Sequence, residues 1–422
     1  MNTIKAFIMV LFFLNIAFVA WAGPPPGTLD EQSKTAVIDE VVKKLNEIYV
    51  FPEVAKKMEK HLKKQFKKGA YKAITEPAEF ARVLTKDLRD ICHDLHLRVR
   101  YYPEPPQRRP EEPPDPAEIK RRLGFVNYAF EKAERLPGNI GYLKFDGFMG
   151  AQYAGATAVA ALNFLAHCDA LIIDLRQNGG GSPSMIQLIT SYFFDEPRHL
   201  NSFYIRKSDE TKQFWTQSHV QGQHLTGTDL YVLTSKRTFS AAEEFTYNLK
   251  NMERATIVGE TTGGGAHPVE SHYFEGLQFG IVVPFGRAIN PISGTNWEGK
   301  GIKPHLEVPQ AEALEKAYHL ALQKLVEKTG DKEKKQAIER DINLKGYTLL
   351  IQEQVKEAIE TFKLNVELFP QSFNAYDSLA EAYMKDKQNE LAVKNYRKSL
   401  ELNPDNRNAV KMLKKLQEDT KQ

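Results

Sequence analysis

Residues 170–181 read ALIIDLRQNGGG. The run from Ala170 to Ile173 is apolar at every position, as a strand covered on both faces must be, because successive side chains point to opposite sides. It ends at Gly179, Gly180 and Gly181, after which Ser184 to Phe194 reads as a helix. A buried strand, a glycine turn and a helix make part of a βαβ unit, and the same texture extends in both directions. Upstream, Ile140–Phe145 reads as a strand and the Ala-rich stretch 151–166 as a helix. Downstream, the strand Leu230–Ser235 precedes a helix Ala241–Asn251 and a strand Ala255–Gly259, and 271–275 with 278–284 read as an added hairpin. Strands alternating with helices predict an α/β core with largely parallel pairing over 138–310.

The flanks have a different pattern. In 23–102, Val37, Ile38, Val41, Val42, Leu45 and Ile48 make an apolar stripe of helical period, and 52–68 and 77–91 continue as helices. This predicts an N-terminal helical domain. Residues 103–137 form a connector and the start of the core, and 103–116 contains seven prolines, too many for a packed element. Residues 311–339 read as a helical linker. In 340–418, Ala358, Phe362, Leu368 and Pro370 recur as Ala392, Tyr396, Leu402 and Pro404, each 34 residues later. That is the tetratricopeptide period with its small, aromatic and proline landmarks, so a C-terminal α-helical repeat segment is expected, with a docking surface for a protein partner.

Residues 1–22, MNTIKAFIMVLFFLNIAFVAWA, combine Lys5, an apolar run and Ala20-Trp21-Ala22. This is the pattern of a cleavable signal peptide and predicts a secreted or periplasmic protein with no membrane span after cleavage. Lys and Arg number 57 against 54 Asp and Glu, which gives no electrostatic case for nucleic acid. Cys92 and Cys168 are the only cysteines, too few for a disulfide scaffold or a four-Cys zinc site. No cofactor or metal is expected.

Four stretches carry chemistry. Ser240, in TFSAAEEF, lies between a strand and a helix, where a hydroxyl is held near the positive end of a helix dipole. The same serine opens the capping-box pattern Ser240-Ala-Ala-Glu243. The glycines 179–181 can present N–H groups to an anion. They lack the Lys-Ser/Thr ending of a phosphate loop, and Ser184 replaces the third glycine of a dinucleotide turn. His93 and His96 fall at a helix end beside Asp94, placed either to bind a metal or to serve a serine as general base. Glu298 sits in a glycine-flanked turn, NWEGKGIKP.

Taken in chain order, HDLH (93–96), DLRQNGGG (174–181), TFSAAEE (238–244), VGETTGGG (258–265) and WEGKGIKP (297–304) resemble the S41 tail-specific, or C-terminal processing, serine peptidases. The resemblance is greatest to the branch that includes the tricorn protease core and the interphotoreceptor retinoid-binding protein. It implies a crotonase-like β/α core, with Ser240 as nucleophile and His96 as base. Glu298 would polarise that base or position the site, and the N–H groups of Ala241 and Gly180 would form the oxyanion hole. His93 and His267 are alternate bases. Gly264 stands where the processing peptidases carry a lysine base, which excludes a Ser/Lys dyad. The stretch from 97 to 139 is also shorter than the ~50 residues below which domains are rare, so their PDZ domain has no place here. Two functions fit: a serine peptidase acting on polypeptides, and a non-catalytic binder of an apolar ligand or peptide on the same scaffold.

Overall fold

The computed structural model describes residues 29–105 and 115–419. The signal-like segment and most of the proline-rich run lie outside the described residues. Three helices open the fold: α1 (Glu31–Ile48), α2 (Pro52–Lys67) and α3 (Pro77–Cys92). Each begins as its sequence suggests. Asp30 accepts the Ser33 N–H, Pro52 and Pro77 occupy first-turn positions, and Glu76 accepts the N–H groups of Ala78 and Glu79. The predicted stripe of α1 is buried from Val37 to Leu45.

A short strand β1 (Arg98–Tyr101) follows, then α4 (Pro116–Gly124), β2 (Phe130–Leu136) and β3 (Ile140–Phe145). The core continues through α5 (Ala151–Phe164), β4 (Ala170–Asp174), α6 (Pro183–Ser191), β5 (His199–Ile205) and β6 (Glu210–Trp215). It is completed by β7 (Asp229–Thr234), α7 (Ala241–Asn251), β8 (Ala255–Gly259), β9 (Val269–Phe274), β10 (Phe279–Pro284), β11 (Gly286–Ile289) and β12 (Leu306–Glu307). The main sheet has six strands in the order β12-β8-β7-β4-β3-β2. All neighbours pair in parallel except β2 with β3. The expected hairpin is β9–β10, and β1 from the N-terminal part pairs with its other edge to make a separate sheet, β1-β10-β9.

The period of two along the central strands sorts the core into layers. Leu171, Ile173, Leu230 and Val232 face one side with Ala154, Ile186 and Phe245 from α5, α6 and α7. Ala170, Ile172, Tyr231 and Leu233 face the other side. That second face is covered by α8 (Ala313–Lys328), α9 (Lys332–Ile351) and α10 (Val355–Leu368), through Ala313, Ala317, Leu322, Ile338, Ile342 and Leu364. The stretch read as a linker is therefore a layer of the core, because a sheet that is apolar on both faces needs a helical cover on each. Helices α11 (Phe373–Lys385), α12 (Asn389–Leu402) and α13 (Arg407–Asp419) then stack on α9 and α10 around Phe362, Tyr383 and Tyr396. Cys92 and Cys168 are separate thiols.

Because Ile342 is fully buried in this second layer, Ile342→Ala should cost about 2–5 kcal/mol in urea unfolding followed on the whole chain. An unchanged midpoint would show that α9 stands apart from the sheet.

Candidate active site

Two turns meet at the carboxyl ends of β4 and β7. In the first, Asn178 is wholly buried: its amide donates to Phe145 O at 2.9 Å, its Oδ1 accepts the Gly180 N–H at 2.9 Å, and its carbonyl accepts the Phe239 N–H at 3.1 Å. One side chain thus shapes the glycine turn and ties it to the second turn. There, Ser240 heads α7 with φ 55° and ψ −119°, a conformation that costs a non-glycine residue on the order of 1–3 kcal/mol. The two turns touch so closely that only glycine fits. At Gly180, with φ 104°, a β-carbon would lie 2.8 Å from Ser240 Cβ and 2.9 Å from Ala241 N.

Glu243 holds the strained serine. Its Oε2 accepts the N–H of Ser240 at 2.9 Å and of Gly265 at 2.8 Å, while Oε1 accepts the Thr262 hydroxyl at 2.5 Å and the Gly264 N–H at 2.6 Å. The carboxylate half of the capping box is therefore formed. The Ser240 side chain completes the box only loosely, facing the Glu243 N–H without a well-formed hydrogen bond. Burial raises the Glu243 pKa, opposed by the four donors around it.

Gly264, where a lysine was excluded, has φ 88°, and a β-carbon there would lie 2.9 Å from Gly301 N. The turn 299–301 therefore denies that position a side chain.

The histidine loop comes from the end of α3. His93 is the left-handed C-cap of that helix, at φ 56°, and is exposed. It closes the helix and does not enter the site. His96 packs against Phe239, the residue before Ser240, with ring centroids 4.7 Å apart. Its Nδ1 is buried without a partner, and among the described residues no hydrogen bond joins its ring to Ser240. Burial pushes His96 down to about 4, and His267, Arg98 and Arg89 act the same way against the opposing pull of Asp94.

Asp94 serves a different ring. Its Oδ1 accepts the His96 backbone N–H at 3.1 Å, and its Oδ2 meets His267 Nδ1 at 2.7 Å. Glu298 accepts the backbone N–H groups of Leu95 at 3.2 Å, Ala266 at 2.5 Å and His267 at 3.1 Å. It is a positioning group that joins the histidine loop to the glycine loop, and it makes no hydrogen bond to the His96 ring. Burial, then the Asp94 carboxylate, raises its pKa against the pull of His267 and those N–H groups. The expected oxyanion donors also divide. Ala241 N–H is a first-turn donor with no intrahelical acceptor, but Gly180 N–H is committed to Asn178. The next amide, Gly181, has no acceptor among the described residues and takes Gly180's place as the second candidate.

Residues 139–308 match the sequence profile of peptidase family S41, and residues 31–129 match the N-terminal domain of that family in eukaryotic IRBP. The chain belongs to peptidase family S41. The order of its motifs is that of the resemblance drawn from sequence, and residues 373–406 match a tetratricopeptide repeat. Among solved structures, the S41 chain is similar to a candidate peptidase from Parabacteroides merdae (18% identity, 69% of this chain, 96% of that one, TM-score 0.49). It is also similar to the photosystem II D1 C-terminal processing protease (16%, 66%, 94%, 0.43) and the tricorn protease (12%, 70%, 37%, 0.44).

Glu243→Gln keeps the shape of the side chain but turns a donor toward N–H groups that need an acceptor. An unpaired buried donor costs about 1–3 kcal/mol, so the variant should melt well below wild type by calorimetry. Equal melting would show that the four-donor carboxylate does not hold the site.

Proposed function

We propose that the protein is a serine peptidase that cleaves polypeptides through an acyl-enzyme on Ser240. The observation that carries this reading is the strained Ser240 backbone, which presents a hydroxyl only loosely engaged with the helix cap at a strand–turn–helix, beside the Ala241 and Gly181 amides. A merely structural cap sits in the extended region and needs no such strained backbone.

In the proposed step, His96 takes the hydroxyl proton as Ser240 Oγ attacks the peptide carbonyl. Ala241 and Gly181 N–H groups receive the developing oxyanion. The same histidine returns the proton to the leaving amine, and water then hydrolyses the ester. His96 is reached by closing the gap to Ser240 when substrate binds, since unliganded sites are often looser than the productive 2.6–3.2 Å. His267, bound to Asp94 through Nδ1, remains the alternate base. The signal-like N-terminus supports a secreted or periplasmic setting, and the tetratricopeptide segment supports docking of a protein partner. The binding-protein reading draws on one observation, the lack of a carboxylate on the His96 ring.

A fluorophosphonate probe separates the two. Wild type should label at Ser240, and Ser240→Ala should abolish labelling and turnover while the fold persists; an unlabelled wild type would favour the binder. The pH profile tests the base. With the His96 pKa lowered to about 4, the acid limb of kcat/KM should fall near pH 4, well below the ~6.5 of an ordinary histidine. A limb at 6.5 would point to another base.

A further inference from the structure

A groove of about 610 Å³ runs between α3 and β1, lined by Ala78, Ala81, Thr85, Arg89, Arg98 and Arg100 among others. Its acids are already answered: Asp90 pairs with Lys86 at 2.5 Å, and nearby Glu79 pairs with Arg82 at 2.5 Å. Arg89 spends its guanidinium on the backbone carbonyls of Leu95 and Leu97. Arg98 and Arg100, both exposed, form no ion pair or hydrogen bond among the described residues. They lie on one face of β1, two residues apart, and with Arg89 they leave a local excess of positive charge.

The edge of β1 is only half closed. The Thr85 hydroxyl meets the Val99 N–H at 3.0 Å and its C=O at 3.1 Å. By the alternation of an antiparallel ladder, Tyr101 turns its N–H and C=O to the same side, where neither has a partner among the described residues. The strand also begins two residues after His96. At ~3.3 Å per residue, the groove opens within the reach of a few substrate residues from the proposed base.

We propose that this groove binds an acidic, extended segment of the polypeptide substrate, whose carboxylates pair with Arg98 and Arg100 while its backbone meets Tyr101. The proposal rests on the peptidase reading for the word substrate, but not for the binding itself. Paired guanidinium–carboxylate contacts are directional as well as charged, so lysine would serve less well than arginine. Occupancy would also offset Arg98, one of the cations that oppose protonation of His96.

The test is fluorescence anisotropy of a labelled Glu/Asp-rich nonapeptide on the full chain, with the Gln/Asn counterpart as control. The acidic peptide should bind at least tenfold more tightly than the neutral one. Arg98→Gln/Arg100→Gln should abolish that preference, and Arg98→Lys/Arg100→Lys should restore part of it, with circular dichroism showing both variants folded. Equal binding of the two peptides, or unchanged binding in the Gln variant, would overturn the proposal. So would capture of anionic phosphatidylglycerol vesicles without peptide binding. Because anisotropy needs no turnover, a failure here is distinct from a failure of Ser240 to label.

Discussion

The buried Glu243 carboxylate is the contact on which the rest of the site depends. A carboxylate taken out of water is stable only when its oxygens are well supplied with donors, and Glu243 receives four from two separate turns. Those donors fix the unfavourable Ser240 backbone, set the path of the glycine loop and, through Thr262, seat that loop on Ile302, whose N–H binds the Thr262 hydroxyl at 2.8 Å. The strain at Ser240 and the burial of Glu243 are thus two sides of one arrangement.

Two further carboxylates extend this order across the boundary between the N-terminal helices and the core. Glu298 comes from the core and binds Leu95 of the helical part together with Ala266 and His267 of the core. Asp94 comes from the helical part and binds His267 of the core. The pairing of β1 with β10 and the Arg206 guanidinium on the carbonyls of Tyr49 and Asn46 close the same boundary. Serine and histidine are supplied by different parts of the chain, so their separation is set by this interface and not by either turn alone.

Most of the fold was legible because its central strands are apolar on both faces and many of its helices begin at Asp, Ser or Pro. Ile140–Phe145, Ala241–Asn251 and Ala255–Gly259 occupy the ranges read from sequence. The β5–β6 pair escaped, since Glu210–Trp215 opens with four polar residues, faces solvent along almost its whole length and shows no alternation. The role of α8 and α9 escaped because periodicity marks a helix as amphipathic without saying which surface it covers. At the site, Ser240, the glycine turn and the histidine loop were readable as motifs. What could not be read was how the partners are allotted: that Asn178 takes the Gly180 amide, that Asp94 chooses the His267 ring, and that Glu298 binds amides. Asn178 beside three glycines was the one available signal, because a short amide side chain commonly folds back onto its own turn.

The electrostatics of His96 set the condition under which this scaffold can act. In the proposed mechanism, a positive charge appears on the His96 ring, which is largely buried and has Arg89, Arg98 and His267 as unfavourable neighbours. Asp94 is the neighbour that favours that charge, yet one of its oxygens holds the loop backbone and the other holds His267. The unliganded arrangement therefore keeps His96 neutral, which is the form a base needs, but supplies little stabilisation to its protonated form. Stabilisation has to arrive with the reaction: from the oxyanion forming nearby, and from whatever anion the substrate brings to the arginines of β1. Under the proposed mechanism, such a site turns over best when its groove and its serine are occupied together, which would couple recognition to chemistry.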